Sequence, residues 1–355
     1  MRKESLDFFR DLIAAPSPSG FEAKGQHVIQ KYIASSADTV SMDLHGNLIA
    51  AKNPDAAPRV MLAGHVDQIG MMIMHVTDDG YLRIQSIGGI DEGHLIGARV
   101  TVYGKKGQVR GIIGRSAIHI LVGDERRRIP EIHDLWIDCG FKDKKEALEC
   151  VDIGDFLLWE AGLAELRNDL VCGPGFDDKI GAWAVIEALR LVAAAAKPIK
   201  CALYSVSTVQ EELGLRGART SSFGIDPVVG IAVDVTHATD YPGTSKDRQG
   251  DIKLGNGPVI ERGPNINPKV FDLIVETAKK SKIPYQIAAA PRATGTDANA
   301  MQVNRAGVAA GLISVPNRYM HSPIEVINLV DLENTAKLLA AVVTRITPAM
   351  DFTPW

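Results

Sequence analysis

Val60-Met61-Leu62-Ala63-Gly64-His65-Val66-Asp67 runs as four apolar residues, a glycine, and then a histidine and an aspartate two apart. A short apolar run of this kind is typical of a strand buried on both faces of a parallel sheet. In open α/β sheets, ligands collect where the carboxyl ends of the strands open into a crevice. His65 and Asp67 face the same side of an extended segment. One nitrogen of His65 can therefore ligate a metal while Asp67 reaches its other nitrogen or the site's water. Taken alone, the pair is more often just a polar turn after a strand.

Working outward, residues 48–52, 202–209, 229–235 and 309–315 read as further strands, and 180–195, 270–281 and 329–345 as helices. Their alternation predicts an α/β fold, a mostly parallel sheet flanked by helices. Leu6, Phe9 and Ile13 share one face of a first helix, which Pro16 and Pro18 stop. Ser19-Gly20-Phe21-Glu22 has the form of a capping box opening a second helix to about Ser35. From about Gln68 to Glu165 the texture changes to glycine and β-branched residues. Residues 71–77 and 81–87 flank Asp78-Asp79-Gly80, residues 100–103 and 108–113 flank Gly104-Lys105-Lys106-Gly107, and 156–159 reads as another strand. Short strands at near-regular spacing predict a small β-barrel. The expected organisation is a discontinuous α/β domain, 1–67 and 166–355, with an inserted barrel at 68–165.

Composition narrows the function. The 355 residues carry a net charge of −4, which argues against a generally basic nucleic-acid binder. No apolar run reaches the ~18 residues that span a bilayer, so no membrane association is expected. The segment after Met1 shows no secretory h-region. Cys139, Cys150, Cys172 and Cys201 form no CxxC pair, so neither a zinc ribbon nor a disulfide framework is indicated, and a reducing, cytoplasmic setting fits.

The remaining strand ends also carry carboxylate or imidazole. Gly173-Pro174-Gly175 leads to Asp177 and Asp178 before an apolar helix. Glu211 and Glu212 follow residues 202–209, Asp234 ends an apolar strand, and His321 lies in the loop after 309–315. Each has an ordinary explanation: helix capping for the aspartates, an acidic turn for the glutamates, a backbone-satisfied loop histidine for His321. Two adjacent carboxylates repel unless a cation lies between them. For both glutamates to reach one site the chain must leave the strand, which Gly214 and Gly217 allow. Two imidazoles with several carboxylates form a donor set suited to zinc, cobalt or manganese. It is the joint occurrence that is specific. His27, His45, His75, His94, His119 and His133 lack an acidic partner at useful spacing, and His237 and Asp240 read as surface residues.

Gly64-His65-Val66-Asp67, Phe176-Asp177-Asp178-Lys179, Glu211-Glu212-Leu213-Gly214, Val233-Asp234-Val235-Thr236-His237-Ala238 and Met320-His321-Ser322-Pro323 occur in the order and approximate spacing of one family. Over nearly its whole length the chain resembles the tetrahedral (TET-type) metallo-aminopeptidases, the glutamyl and deblocking aminopeptidases of the dinuclear zinc exopeptidase superfamily. The resemblance implies two divalent metal ions per subunit, Zn²⁺ or Co²⁺, with Mn²⁺ also acceptable. It implies Asp177 as the bridging carboxylate, beside a cis peptide to Asp178. His65 and Asp234 are implied as ligands of one metal, Glu212 and His321 of the other. Glu211 is implied as general base and Asp67 as the acid that orients His65. It further implies that the inserted barrel is a dimerisation domain, that dimers build a tetrahedral dodecamer acting on short peptides, and that Thr294-Gly295-Thr296-Asp297-Ala298 lies near the site. The stretch near 193–198 is longer than the family pattern, at a helix end. The alternatives are a carboxypeptidase or N-deacylase using the same metal pair, or a glycoside hydrolase of the endoglucanase type using an acid pair. Acid-pair glycoside chemistry has no need of the histidines.

Overall fold

Two helices begin the chain in the computed structural model, which describes residues 1–160 and 162–355. Helix α1 (Lys3–Ala14) buries Phe8, Phe9, Leu12 and Ile13 along one stripe and stops before Pro16. Helix α2 (Ala23–Ile33) follows, and then strands β1 (Thr39–Met42), β2 (Leu48–Lys52) and β3 (Arg59–His65). The expected capping box does not form: Glu22 precedes α2 with no side-chain cap. Ser19 instead bonds to distant Asp67, and Glu22 accepts from distant Gln210 as well as from nearby Gly20.

After β3 the chain enters a closed antiparallel barrel of β4 (Gly70–Val76), β5 (Leu82–Ile87), β6 (Arg99–Gly104), β7 (Gly107–Gly114), β8 (Trp136–Asp138) and β9 (Phe156–Trp159), in the order β4-β5-β8-β7-β6-β9. Both hairpins read from the sequence are present. Met71, Ile73, Leu82, Val100, Val102, Ile137 and Leu157 fill a core of its own. Helix α3 (Lys144–Cys150) was not foreseen; it is short and capped by Asp143.

Strands β10 (Ala164–Glu165) and β11 (Leu170–Gly173) lead to α4 (Phe176–Ala193), buried nearly all round as its apolar composition requires. Then come β12 (Ala202–Thr208), α5 (Arg216–Ile225), β13 (Val229–His237), α6 (Lys246–Gln249), β14 (Val259–Arg262), α7 (Pro268–Ser281), β15 (Gln286–Ala289), α8 (Asp297–Gln302), β16 (Ala309–Asn317), β17 (Glu325–Asn328) and α9 (Leu329–Arg345). The eight-stranded sheet runs β1-β2-β12-β3-β13-β16-β14-β15, and β12, β3, β13 and β16 are parallel neighbours. Register sets Thr208 beside His65, so these strands deliver their carboxyl ends to one edge. No helix among the described residues is long and apolar enough to cross a membrane.

One close approach fixes where that edge meets α4. A Cβ on Gly64 would lie 2.3 Å from the carbonyl carbon of Gly181, so β3 and α4 touch backbone to backbone. The contact lets Asp178 accept from the main-chain N–H of His65 at 3.2 Å and of Gly181 at 3.0 Å.

Gly64→Ala therefore drives strand and helix apart. It is expected to destabilise the fold by at least ~1–3 kcal/mol, the ordinary cost of overpacking, and to lower Tm in thermal denaturation. Gly224→Ala, in α5 with open space around its Cβ, should leave Tm unchanged or raise it, since alanine is favoured over glycine in a helix by up to ~1 kcal/mol.

Candidate metal centre

Seven side chains expected to do chemistry come from five separate places in the chain. His65 ends β3 and Asp67 follows it; Asp177 opens α4; Glu211 and Glu212 lie in the turn after β12; Asp234 is in β13; His321 is in the loop between β16 and β17. The fold brings them together. His65, Asp178 and Asp234 offer donor atoms all within 4.8 Å of one another, as do Asp177, Glu212 and His321. Asp177 joins the groups: one carboxylate oxygen is 3.3 Å from His65 Nε2 and the other 3.2 Å from His321 Nε2. Glu211 belongs to neither group, but its Oε2 is 3.7 Å from His65 Nε2. The Asp177–Asp178 peptide is cis, as the resemblance implied.

Asp67 is placed somewhat differently from expectation. His65 Nδ1 lies 3.0 Å from the backbone carbonyl of Asp67 and 3.4 Å from its carboxylate. The carboxylate is occupied elsewhere. It accepts from Ser19 Oγ at 2.7 Å and from the N–H groups of Glu211 at 3.0 Å and Glu212 at 3.2 Å. Buried backbone donors need acceptors, so Asp67 holds the glutamate turn as well as abutting His65. The turn does leave the strand, with Gln210 at φ +53° and Gly214 at φ +109°.

The histidine loop is held by a residue that the sequence reading missed. Buried Glu325 accepts from the N–H of His321 at 3.1 Å and, through its other oxygen, from that of Asp177 at 3.0 Å. It supports His321 in the left-handed conformation, φ +60°, that a residue with a Cβ rarely adopts. Asp240, read as a surface residue, makes a two-pronged pair with Arg318 at the base of the same loop, both contacts 2.7 Å. Asp297 is also buried at the site and accepts from Thr208 Oγ1 at 2.6 Å; its position agrees with that implied for the 294–298 segment. Glu325 and Asp297 have no spacing signal of their own. The pairing of β11 with β17 brings Glu325 in, and the bond from Thr208 at the end of β12 ties Asp297 to the site.

The electrostatics follow from crowding. Burial pushes Glu211 up to about 10, and Asp234, Asp297 and Glu212 add to this against the pull of His65. Burial and Asp177 push Glu212 up to about 8. Burial raises Asp178, Asp234 and Glu325 well above the usual carboxylate range, with repulsion from neighbouring acids adding to each. Asp177 goes the other way: burial opposes its ionisation, but hydrogen bonds from His321 and His65 hold it below that range. The bond to Asp177 is foremost in raising His321 to about 9. Burial works against charge on His65, yet Glu211, Asp177 and Asp67 carry it well above its ordinary value. Glu212 Oε1 is buried with no hydrogen-bond partner. An orphaned carboxylate oxygen, a surplus of anions and two imidazoles are what a pair of divalent cations would satisfy.

The barrel reaches this centre too. A Cβ on Gly88 would lie 3.3 Å from Glu212 Oε2, and one on Gly89 3.3 Å from His321 Nδ1.

Asp67→Ala strands the Ser19 hydroxyl and the amides of Glu211 and Glu212, each worth ~1–3 kcal/mol when buried and unpaired. A urea-denaturation midpoint reduced by the equivalent of at least ~2 kcal/mol is expected, with a smaller loss for Asp67→Asn, which keeps one acceptor.

Residues 46–338 match the family model for M42 glutamyl aminopeptidases. A lysyl aminopeptidase of Pyrococcus furiosus is 40% identical over 98% of this chain and 99% of its own. An aminopeptidase of the archaeon Desulfurococcus kamchatkensis superposes with a TM-score of 0.90 at 36% identity, covering 97% of this chain and 96% of that one. The TET1 peptidase of Pyrococcus horikoshii, described as assembling into a tetrahedron or a large octahedral shell, has a TM-score of 0.85 at 31% identity, covering 96% of this chain and all of the other. With the family model spanning most of the sequence and a relative this similar end to end, the chain belongs to the M42 glutamyl aminopeptidase family, hydrolases that act on peptides.

Proposed function

We propose that this aminopeptidase removes N-terminal residues from short peptides at a two-metal centre. His65 and Asp234 would hold one ion, Glu212 and His321 the other, and Asp177 both. The observation that carries this reading is the division of Asp177: each of its oxygens faces a different imidazole, and each imidazole belongs to a different donor group. When bound, two such ions would polarise the scissile carbonyl and acidify the attacking water.

The chain's own residues do the rest. Glu211, outside both donor groups, takes the proton from the attacking water and returns it to the leaving amine. A base must be ionised; burial foremost, and then the neighbouring acids, oppose ionisation of Glu211, and cations in the donor groups would offset the repulsion. Asp67 positions the turn that carries Glu211 and Glu212, and its backbone carbonyl abuts His65 Nδ1, supporting presentation of Nε2 to the metal. We assign Zn²⁺ or Co²⁺ as the ions, with Mn²⁺ acceptable to the same donors.

The α/β domain, 1–67 and 166–355, would supply the chemistry and the barrel, 68–165, the dimer contact. Dimers would then build a closed homo-oligomer in the cytoplasm, in line with the shells described for the Pyrococcus horikoshii relative. An acid-pair glycosidase would leave His65 and His321 without a task, so the two-histidine site supports peptide hydrolysis.

Chelation should abolish release of p-nitroaniline from aminoacyl p-nitroanilides, and Zn²⁺ or Co²⁺ should restore it; activity indifferent to both treatments overturns the metal reading. Glu211→Gln is expected to keep two metals per chain by elemental analysis while losing ~10²–10⁴-fold in kcat, the range for a general base. Glu212→Ala and His321→Ala should each lose one metal. Lysyl, glutamyl and leucyl substrates in one panel, beside their N-acetylated forms, define the side-chain preference and separate aminopeptidase from deacylase.

A further inference from the structure

The segment Ser17–Glu22 has no part in the mechanism above, yet it is fastened to the active site at every step. Ser17 Oγ donates to Val66 O at 2.8 Å, and Ser17 O accepts from Gln68 N at 3.0 Å. Ser19 N donates to Gln68 O at 3.3 Å, and Ser19 Oγ to Asp67 at 2.7 Å. Buried Glu22 uses a single oxygen, Oε1, to accept from Gly20 N at 2.7 Å and from Gln210 N at 3.1 Å. Three consecutive amides, those of Gln210, Glu211 and Glu212, are thus held by two carboxylates from elsewhere in the chain, Glu22 and Asp67. The first of the three, Gln210, stands at φ +53°, where a residue with a Cβ is strained unless its surroundings impose the conformation.

Resting on the aminopeptidase reading, we propose that Glu22 and Ser19 are positioning residues for the general base Glu211. Glu22 sets the backbone of Gln210 directly, and Ser19 acts by orienting Asp67, so that together they fix where the Glu211 carboxylate stands. What matters is an acceptor at the place of Glu22 Oε1, not the negative charge. Both amides bond to that one oxygen, and glutamine can supply it. Without the acceptor the turn relaxes at Gln210, and displacement of a base by ~1 Å costs about 10²-fold in rate. Neither Glu22 nor Ser19 is in the donor groups, so metal binding should survive.

The test uses the full-length, metal-loaded enzyme with a preferred aminoacyl p-nitroanilide. Glu22→Ala is expected to lower kcat ~10–100-fold, the range for residues that orient a site from behind, with KM within about threefold of wild type and metal content unchanged. The amide of Gln210 should exchange faster with solvent. Glu22→Gln should retain kcat within about threefold and keep the amide protected. Ser19→Ala, which leaves Asp67 its other donors, should lose several-fold in kcat with metal retained, and it serves if Glu22→Ala fails to fold. Wild-type kcat in Glu22→Ala, or in Ser19→Ala, overturns the proposal. So does a Glu22→Gln enzyme as impaired as Glu22→Ala, because charge would then be the essential property. If the loaded wild-type enzyme cleaves no aminoacyl substrate, the aminopeptidase reading fails instead, and Gln210 amide protection alone decides whether Glu22 holds the turn.

Discussion

Carboxylates packed together out of water set the terms for this structure. Two like charges 4 Å apart interact by about 4 kcal/mol at the effective dielectric of a protein near its surface, and here Asp67, Asp177, Asp178, Glu211, Asp234, Asp297 and Glu325 are buried with His65, while Glu212 and the partly exposed His321 adjoin them. The chain copes by sorting them. Asp67, Asp178 and Glu325 are each bonded to two backbone amides, and every one of those amides belongs to the site residues or to the helix behind them. These three are acceptors that organise main chain. Asp177 faces only imidazoles among the side chains it bonds, and Glu212 Oε1 makes no hydrogen bond, with His321 Nε2 3.5 Å away. Asp67 and Glu325 thereby stand outside both donor groups, whereas Asp178 organises backbone and also offers an oxygen beside His65 and Asp234.

Such sorting depends on topology. Parallel strands deliver their carboxyl ends to one edge, so β3, β12, β13 and β16 bring distant segments together without long loops. The helix that carries Asp177 must then approach that edge closely. Gly64 and Gly181 remove the side chains that would stand between them. Asp178 uses the space so opened to cross from helix to strand, and any Cβ at position 181 would fall on its carboxylate. The Asp178 carboxylate and a packing glycine are in this sense one feature of the fold.

Much of this could be read from the sequence because strand ends are local. An apolar run closed by His65, Glu211 or Asp234 states both where the strand lies and what stands at its tip. The central strands, the two barrel hairpins and the closing helix were legible for the same reason. What escaped was non-local. The short strands β14 and β15 lack an apolar run long enough to announce them, and β14 pairs antiparallel to β16, a reversal that local pattern does not encode. Glu325 reads as an ordinary strand acid until β17 is laid beside β11. Ser19 and Glu22 show the limit most clearly. Their spacing fits a helix cap, and a cap is the local use of the same two groups. The fold gives Ser19 a tertiary partner in Asp67 and makes Glu22 share its oxygen between nearby Gly20 and distant Gln210, so the local cap motif is not formed.

The barrel is harder to treat as a separate module than its own core suggests. The end of β5 leads into Gly88 and Gly89, which lie against Glu212 and His321, so the barrel forms part of the wall around the second donor group. On the other side, Phe21 packs on Phe156 of β9 with ring centroids 4.8 Å apart, and Pro18 bridges to Gln68 at the entry to the barrel. The same short segment that holds the Gln210 turn is therefore clamped between the barrel and the sheet. A tilt of the barrel would press on Glu212 through one contact and on the turn bearing Glu211 through the other. The barrel thus touches Glu212 directly and, through Phe156 and Gln68, the segment that holds the turn bearing Glu211.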